Sequence, residues 1–193
     1  MDAFHSRLIE WRHGFHRAPE LGFQETRTKA RVAAILRDLG LEVHEGAGVV
    51  GVLRAGAGNR AIGLRADMDA LAIQEAPGIG HASQTPGVMH ACGHDGHTTM
   101  LLGAADLLAR DPGFDGTVVF LFQPNEEHGL GARAMIDEGV LTRFPVDEVY
   151  ALHNLPGAPM GQVSTRTGQI CASESLFEIA IEGRGGHASM PHV

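Results

Sequence analysis

Apolar positions in this chain follow two rhythms. In "ETRTKARVAAILRDLG", Ala30, Ala33, Ala34, Leu36 and Leu39 recur at helical spacing, and Gly40 stands where a helix would be capped. "HTTMLLGAADLLAR" repeats the habit, with Met100, Leu101, Ala104, Leu107 and Leu108 on its expected buried side. "ARAMIDEG" predicts a shorter helix ending at Gly139. The other rhythm is the short apolar run: "LEVHE", "VVGVLRAG", "AIGLRAD", "TVVFLF" and "EVYALH" each read as a strand. "TVVFLF" is continuous, as in a strand covered on both faces. "GQVSTRTG" and "SLFEIAIEG" alternate in places and read as strands of a different character. Met68 to Met89 is expected to be a long loop holding Pro77 and Pro86. Strands interleaved with helices predict an α/β sheet.

Polar residues gather where the apolar strands end. Asp67 and Asp69 follow "AIGLRA", Gln123 to Glu127 follow "TVVFLF", and His153 follows "EVYAL". Ligands of open α/β sheets bind outside the carboxyl ends of the strands. Those three segments are therefore expected to converge on the loop "MHACGHDGHTTM".

The residue types there suit a metal. Thiolate and neutral imidazole both bind zinc and related ions, but Cys92 and His94 alone are too few and must recruit ligands from elsewhere. Asp95 suits the N-terminal acceptor of the following helix. His90 is either a ligand or a hydrogen-bond donor behind one. In "QPNEEHG", Glu126 and Glu127 are costly if both are buried and ionised. One on a metal and one carrying protons is a sensible division; a solvated turn is the plain alternative. His153 is structural unless the other segments meet it. "GRGGHASMPH", Gly183 to His192, either holds an anion on its backbone N–H groups or is a hairpin or domain-crossing loop. "GAGVVG" fits a dinucleotide motif, but a strand pattern follows it where a helix is required. Cys171 is expected to be a small core residue. His5, His13, His16, His44, His81 and His128 join no cluster in the sequence and are expected to be surface or structural.

Composition narrows the class. Of the 193 residues 44% are apolar and 20% charged, which marks a globular protein. A formal charge of -8 argues against nucleic acid or an anionic membrane as partner. No run approaches the ~18 apolar residues of a membrane span, and the N-terminus lacks a secretory pattern. Two cysteines cannot build a disulfide framework. A cytoplasmic protein is expected.

The segments "HRAPELGFQE", "GLRADMDAL", "GVMHACGHDGHTTMLLGAA", "FQPNEE", "GARAMIDEG", "LHNLPG" and "GRGGHASMPH" occur in an order that resembles the amino-terminal half of the M20 metallopeptidase family. The resemblance is narrower to its amidohydrolase branch of hippurate hydrolases, N-acyl-amino-acid amidohydrolases and auxin-conjugate hydrolases. It implies a zinc-exopeptidase-like α/β catalytic domain, a mixed sheet flanked by helices, over residues 1–174. Residues 175–193 would begin an α+β lid or dimerisation domain, truncated where the chain stops.

The same resemblance implies a site for two divalent ions (Zn, Mn, Co or Ni). Cys92 would bridge them, His94 and His153 would complete one, and Glu127 would bind the other. Glu126 would be general base and acid. Asp67 would lie behind the ligands, where related branches orient a histidine. His187, on the lid, would stabilise the developing oxyanion. The implied substrate is a small N-acyl amino acid or short peptide, and the implied partner is a second copy, as a homodimer or larger. Asn125 and His128 depart from the family, which often has a small residue and a glycine there. The present residues are expected to hold at most one ion tightly and to be inactive alone. A non-catalytic metal-binding fragment and a di-metal hydrolase of another bond are the alternatives.

Overall fold

The computed structural model describes residues 2–173, 175 and 177–190. The chain divides into two compact units, Met1–Leu155 and Pro156–Val193. All the regular elements lie in the first: α1 (Ala3–Arg17), α2 (Thr26–Asp38), β1 (Glu42–Glu45), β2 (Val49–Ala55), β3 (Ala61–Asp67), α3 (His94–Arg110), β4 (Gly116–Gln123), α4 (Gly131–Asp137), α5 (Val140–Arg143) and β5 (Glu148–Ala151).

The strands form one sheet in the order β1-β2-β4-β3-β5. β2 runs antiparallel to β1 and β4, whereas β4, β3 and β5 are mutually parallel, so the sheet is mixed as expected. β4 sits at its centre and is covered on both faces. Val118, Phe120 and Phe122 pack into one core with Phe15, Val32, Leu36 and Leu102 from the helices α1, α2 and α3. Val119 and Leu121 pack into a second core with Val50, Val52, Met135 and Val140, beside α4 and α5. Side chains alternate faces along a strand, so two buried faces require the unbroken apolar run that β4 carries. Phe120 and Phe122 are fully buried, and truncating either to Ala costs about 3–5 kcal/mol.

Helix faces differ from the apolar pattern. On α2 the buried residues are Thr28, Val32, Ala33 and Leu36, while Ala30 and Ala34 are exposed. On α3 Leu101, Leu102 and Ala105 are buried, and Met100 and Leu107 face solvent. The first turns of α3 also bury His94, Asp95, His97 and Thr98. These polar contacts set the rotation of the helix, which the apolar residues alone did not reveal. α1 has no counterpart in that pattern. It buries only Phe15 and His16 and starts on Asp2, whose Oδ1 accepts the His5 N–H at 2.8 Å.

The parallel strands β3, β4 and β5 bring their carboxyl ends to one edge of the sheet. Asp67 lies opposite Gln123 in the register, and β5 ends two residues before His153. Three distant segments thereby meet the N-terminus of α3.

In the second unit no described residue belongs to a helix or strand. The strands expected at "GQVSTRTG" and in the described part of "SLFEIAIEG" do not form. A strand exists only with a ladder partner, which alternation of side chains does not supply. Cys171 is exposed here, contrary to the expectation of a core residue. The boundary expected between residues 174 and 175 falls inside this unit. Glu174 lies outside the described residues, as does His192 of the glycine-rich loop.

Candidate metal centre

The chain enters α3 through Cys92, Gly93 and His94. Gly93 is the N-cap, at φ 94°, a left-handed conformation that glycine adopts without penalty. A Cβ on it would stand 2.2 Å from Asn154 Oδ1, so the absence of a side chain also lets the segment after β5 close in. Asp95 does not cap the helix, as the sequence suggested. Its carboxylate takes His16 Nδ1 at 3.0 Å and Arg12 Nε at 3.2 Å and ties α3 to α1.

His94 is fully buried, and its two nitrogens have different fates. Nδ1–H donates to Asp69, whose backbone oxygen and Oδ1 lie at 3.0 and 3.2 Å. That fixes the tautomer and leaves Nε2 a lone pair. Among the described residues Nε2 is buried without a hydrogen-bond partner, and so is Glu127 Oε1, 3.7 Å away. Asp67 Oδ2 at 3.6 Å and Glu126 Oε2 at 3.8 Å complete its surroundings. His153 repeats the arrangement. Its Nδ1–H donates to the Asn154 carbonyl at 2.7 Å, and Nε2 lies 3.5 Å from Cys92 Sγ. Cys92, His94 and His153 thus offer three ligand atoms within 4.8 Å of one another, as do His94, Glu126 and Glu127.

Asp67, His94 and His97 form a third such group, but the hydrogen bonds of His97 set it apart. Its Nδ1 donates to Asp67 Oδ1 at 2.7 Å, and its Nε2 accepts the Asn154 N–H at 3.1 Å. No lone pair is left for an ion.

The acid pair is divided by its setting. Asn125 precedes it at φ 42°, with its N–H on the buried Glu25 Oε1 at 2.8 Å, and it turns the chain sharply after β4. Gly131 lets the turn close, since a Cβ there would lie 1.5 Å from the Pro124 carbonyl oxygen. The Glu127 side chain is 19% exposed and its N–H is anchored to Asp69 Oδ2, whereas Glu126 is 40% exposed. Glu127 faces the gap beside His94; Glu126 stands at the mouth. His128 Nδ1 lies 2.8 Å from Asn125 Oδ1.

Electrostatics describe a gap short of positive charge. Burial, then the charge of Glu127, pushes the Cys92 thiol up to about 11. Burial, together with Glu126 and Asp69, raises Glu127. Burial would lower His94, but the Asp69 hydrogen bond and the nearby carboxylates raise it. Burial likewise works against an ionised Asp67, yet His97, His94 and Arg65 outweigh it and hold the carboxyl at about 2. A thiol, two imidazole lone pairs and an orphaned carboxylate oxygen are a donor set suited to a borderline divalent ion. Such an ion would satisfy the buried atoms that the protein leaves without partners.

His90 is buried with neither ring nitrogen hydrogen-bonded among the described residues, and burial lowers its pKa to about 4. It joins none of the ligand groups among the described residues. His187 belongs to the second unit, is exposed, and contacts Ser189 Oγ at 2.8 Å. Two supporting residues, Asp69 and His97, were given no role by the sequence reading, although Asp69 stood at a converging strand end and His97 was weighed as a weaker candidate. Asp69 follows Asp67 at strand spacing, and His97 follows His94 at helical spacing; both spacings were a usable signal.

A mixed sheet whose parallel strand ends carry this set presents the donors of a divalent-ion site. The chain belongs to peptidase family M20/M25/M40, whose model matches residues 63–191. It is 46% identical over 183 residues to the hippurate hydrolase of Campylobacter jejuni, covering 93% of this chain and 48% of that protein. It is 41% identical over 195 residues to the N-acetylcysteine deacetylase of Bacillus subtilis, covering 98% and 51%. Among solved structures, a Bacillus subtilis protein described as a dinuclear metal-binding peptidase of the M20 family superposes with a TM-score of 0.78. It is 40% identical, over 81% of this chain and 45% of that one. The chain spans about half the length of the relatives it matches.

Proposed function

We propose that these residues form the metal-binding half of an amidohydrolase that cleaves N-acyl amino acids at a two-metal site. The observation that carries this reading is the pair of buried, unpartnered atoms His94 Nε2 and Glu127 Oε1, 3.7 Å apart, beside Cys92 and His153. The relatives named for hippurate and for N-acetylcysteine supply the substrate class.

His94 and His153 would hold one ion, Glu127 the other, and Cys92 both. Bound there, divalent ions polarise the amide carbonyl and lower the pKa of water. Glu126 would take the proton of the attacking water as the C–O bond forms, and return it to the leaving nitrogen as the C–N bond breaks. Its exposure suits a group that moves a proton between water and substrate, and the burial of Glu127 suits one that stays on an ion. Asp69 and the Asn154 carbonyl fix the His94 and His153 rings. His187 would steady the developing oxyanion, and a second copy of the chain would be its partner.

The test is release of free amino acid from benzoyl-glycine and N-acetylcysteine by this chain and by any longer form its gene encodes. Turnover by a form that loses it on Glu126→Gln supports the reading. Cleavage of phosphoesters instead, or metal binding without turnover in every form, overturns it.

A further inference from the structure

His97 occupies the same face of α3 as His94, one turn on, yet both its nitrogens are committed elsewhere. We propose that His97 is a positioning residue that latches the segment after β5 onto α3 and so places the His153 ring in the metal centre. The inference rests on the metal-centre reading above and adds a residue that carries no ligand atom.

The latch is a chain of directed bonds. Asp67 Oδ1 accepts the His97 Nδ1–H at 2.7 Å, which leaves Nε2 as the acceptor. Nε2 receives the backbone N–H of Asn154 at 3.1 Å. The carbonyl of that residue accepts the His153 Nδ1–H at 2.7 Å, which turns the His153 Nε2 towards Cys92 Sγ, 3.5 Å away. The His97 and His153 rings also pack edge to face with centroids 4.5 Å apart. The Asn154 side-chain amide lies against His97 Nε2 as well, and because that nitrogen accepts, the amide turns its NH2 and not its oxygen to the ring.

Burial makes the direction of these bonds matter. His97 is 3% exposed and Asp67 1%, whereas His153 and Asn154 are exposed. An exposed ligand has many conformations available, and holding it in one is an entropic cost the site must meet. The buried Asp67–His97 pair meets it from the rigid side. Asp67 is further fixed by Arg65 Nη1 at 2.8 Å, and Arg65 by Gln123 at 2.9 Å, so the latch is rooted in β3 and β4.

The probe is Co2+ alone, titrated against the chain, with the cobalt–thiolate absorption of Cys92 and amide exchange at Asn154 as readouts. His97→Ala is expected to weaken Co2+ binding about 10- to 100-fold, the usual effect of losing a group that orients a ligand. It should also abolish the protection of the Asn154 amide while the thermal melt stays cooperative. His97→Gln is expected to restore both, because an amide carries a donor and an acceptor at similar separation. Should the alanine variant fail to fold, His97→Asn carries the test: its shorter amide reaches Asp67 but not Asn154, and the same losses are expected. Parent-like affinity and protection in a folded alanine or asparagine variant overturns the proposal. So does a folded glutamine variant that recovers neither, which would make His97 a ligand. A parent chain that binds no Co2+ overturns the metal centre itself, and is thereby distinguished from failure of the latch.

Discussion

His94 Nε2 and Glu127 Oε1 face each other across 3.7 Å, both buried and both without a hydrogen-bond partner. Unpaired buried acceptors are costly, and cations bound beside them remove the cost. Zn2+ or Co2+ at a hundred times its dissociation constant should therefore stabilise the chain by about 3 kcal/mol. That corresponds to a rise in melting temperature of about 5–10 °C for a protein of this size. Chelator should reverse it. Glu127→Gln should shrink the rise, and Glu126→Gln should leave it in place. A melting curve indifferent to both metal and chelator would count against the site.

Cys92 and Cys171 give a built-in comparison of thiol reactivity. Cys171 is exposed and should alkylate at the same rate with or without metal. Cys92, held at about 11 by burial and by Glu127, should react slowly in the metal-free chain near neutrality. Its rate should climb about tenfold per pH unit on the way to that value. Metal should suppress the reaction at every pH. Equal labelling of Cys92 with and without chelator at pH 10 would mean that it is no ligand.

Asp67 makes acid stability measurable. Its folded value of about 2 lies below the ordinary 3.8, because His97, His94 and Arg65 outweigh its burial. A depressed carboxyl stabilises the fold above the ordinary value and loses that contribution as pH falls through the folded one. The difference amounts to about 2 kcal/mol. Asp67→Asn should therefore cost about that much at neutral pH, with the gap to the parent closing between pH 4 and 2. A gap independent of pH would assign the loss to packing instead.

Gly93→Ala combines two insults, a side chain in the left-handed region at φ 94° and a clash with Asn154. The first costs about 1–2 kcal/mol. The second should displace the residue after His153, so metal binding should weaken more than stability does. Denaturant unfolding beside a Co2+ titration checks this; loss of stability with parent-like affinity would place Asn154 outside the site.

The 193 residues bring three ligands together around one gap, while Glu127 with the shared Cys92 offers two to another. One tightly held ion per chain is expected by metal analysis. Two held equally would require a ligand so far unassigned, and His90, with both nitrogens free, would be examined first.

Much of the fold was legible because its strands are short apolar runs and its central strand is apolar throughout. The meeting of Asp67, Glu126, Glu127 and His153 at one sheet edge followed from their places at strand ends. Less legible were features set by polar contacts. The rotation of α3 is fixed by His94, Asp95 and His97, which an apolar pattern does not weigh. α1 is mostly polar, and its hold on the site runs through His16, which bridges Asp95 at 3.0 Å and Glu75 at 3.2 Å. His16 carries no local signal of that role, because its partners are 79 and 59 residues away.

Among the described residues β5 is the outermost strand beside β3, and every one of its four residues is exposed. His153 hangs from its end, while His94 is rooted in the buried start of α3. The ligands therefore differ in how readily the protein releases them. Edge strands fray at far lower free energy than a core helix unfolds. At the proposed site the ion's departure would then be timed by the opening of β5: its residence should shorten with anything that loosens Glu148–Ala151 and be nearly indifferent to the global stability of the sheet.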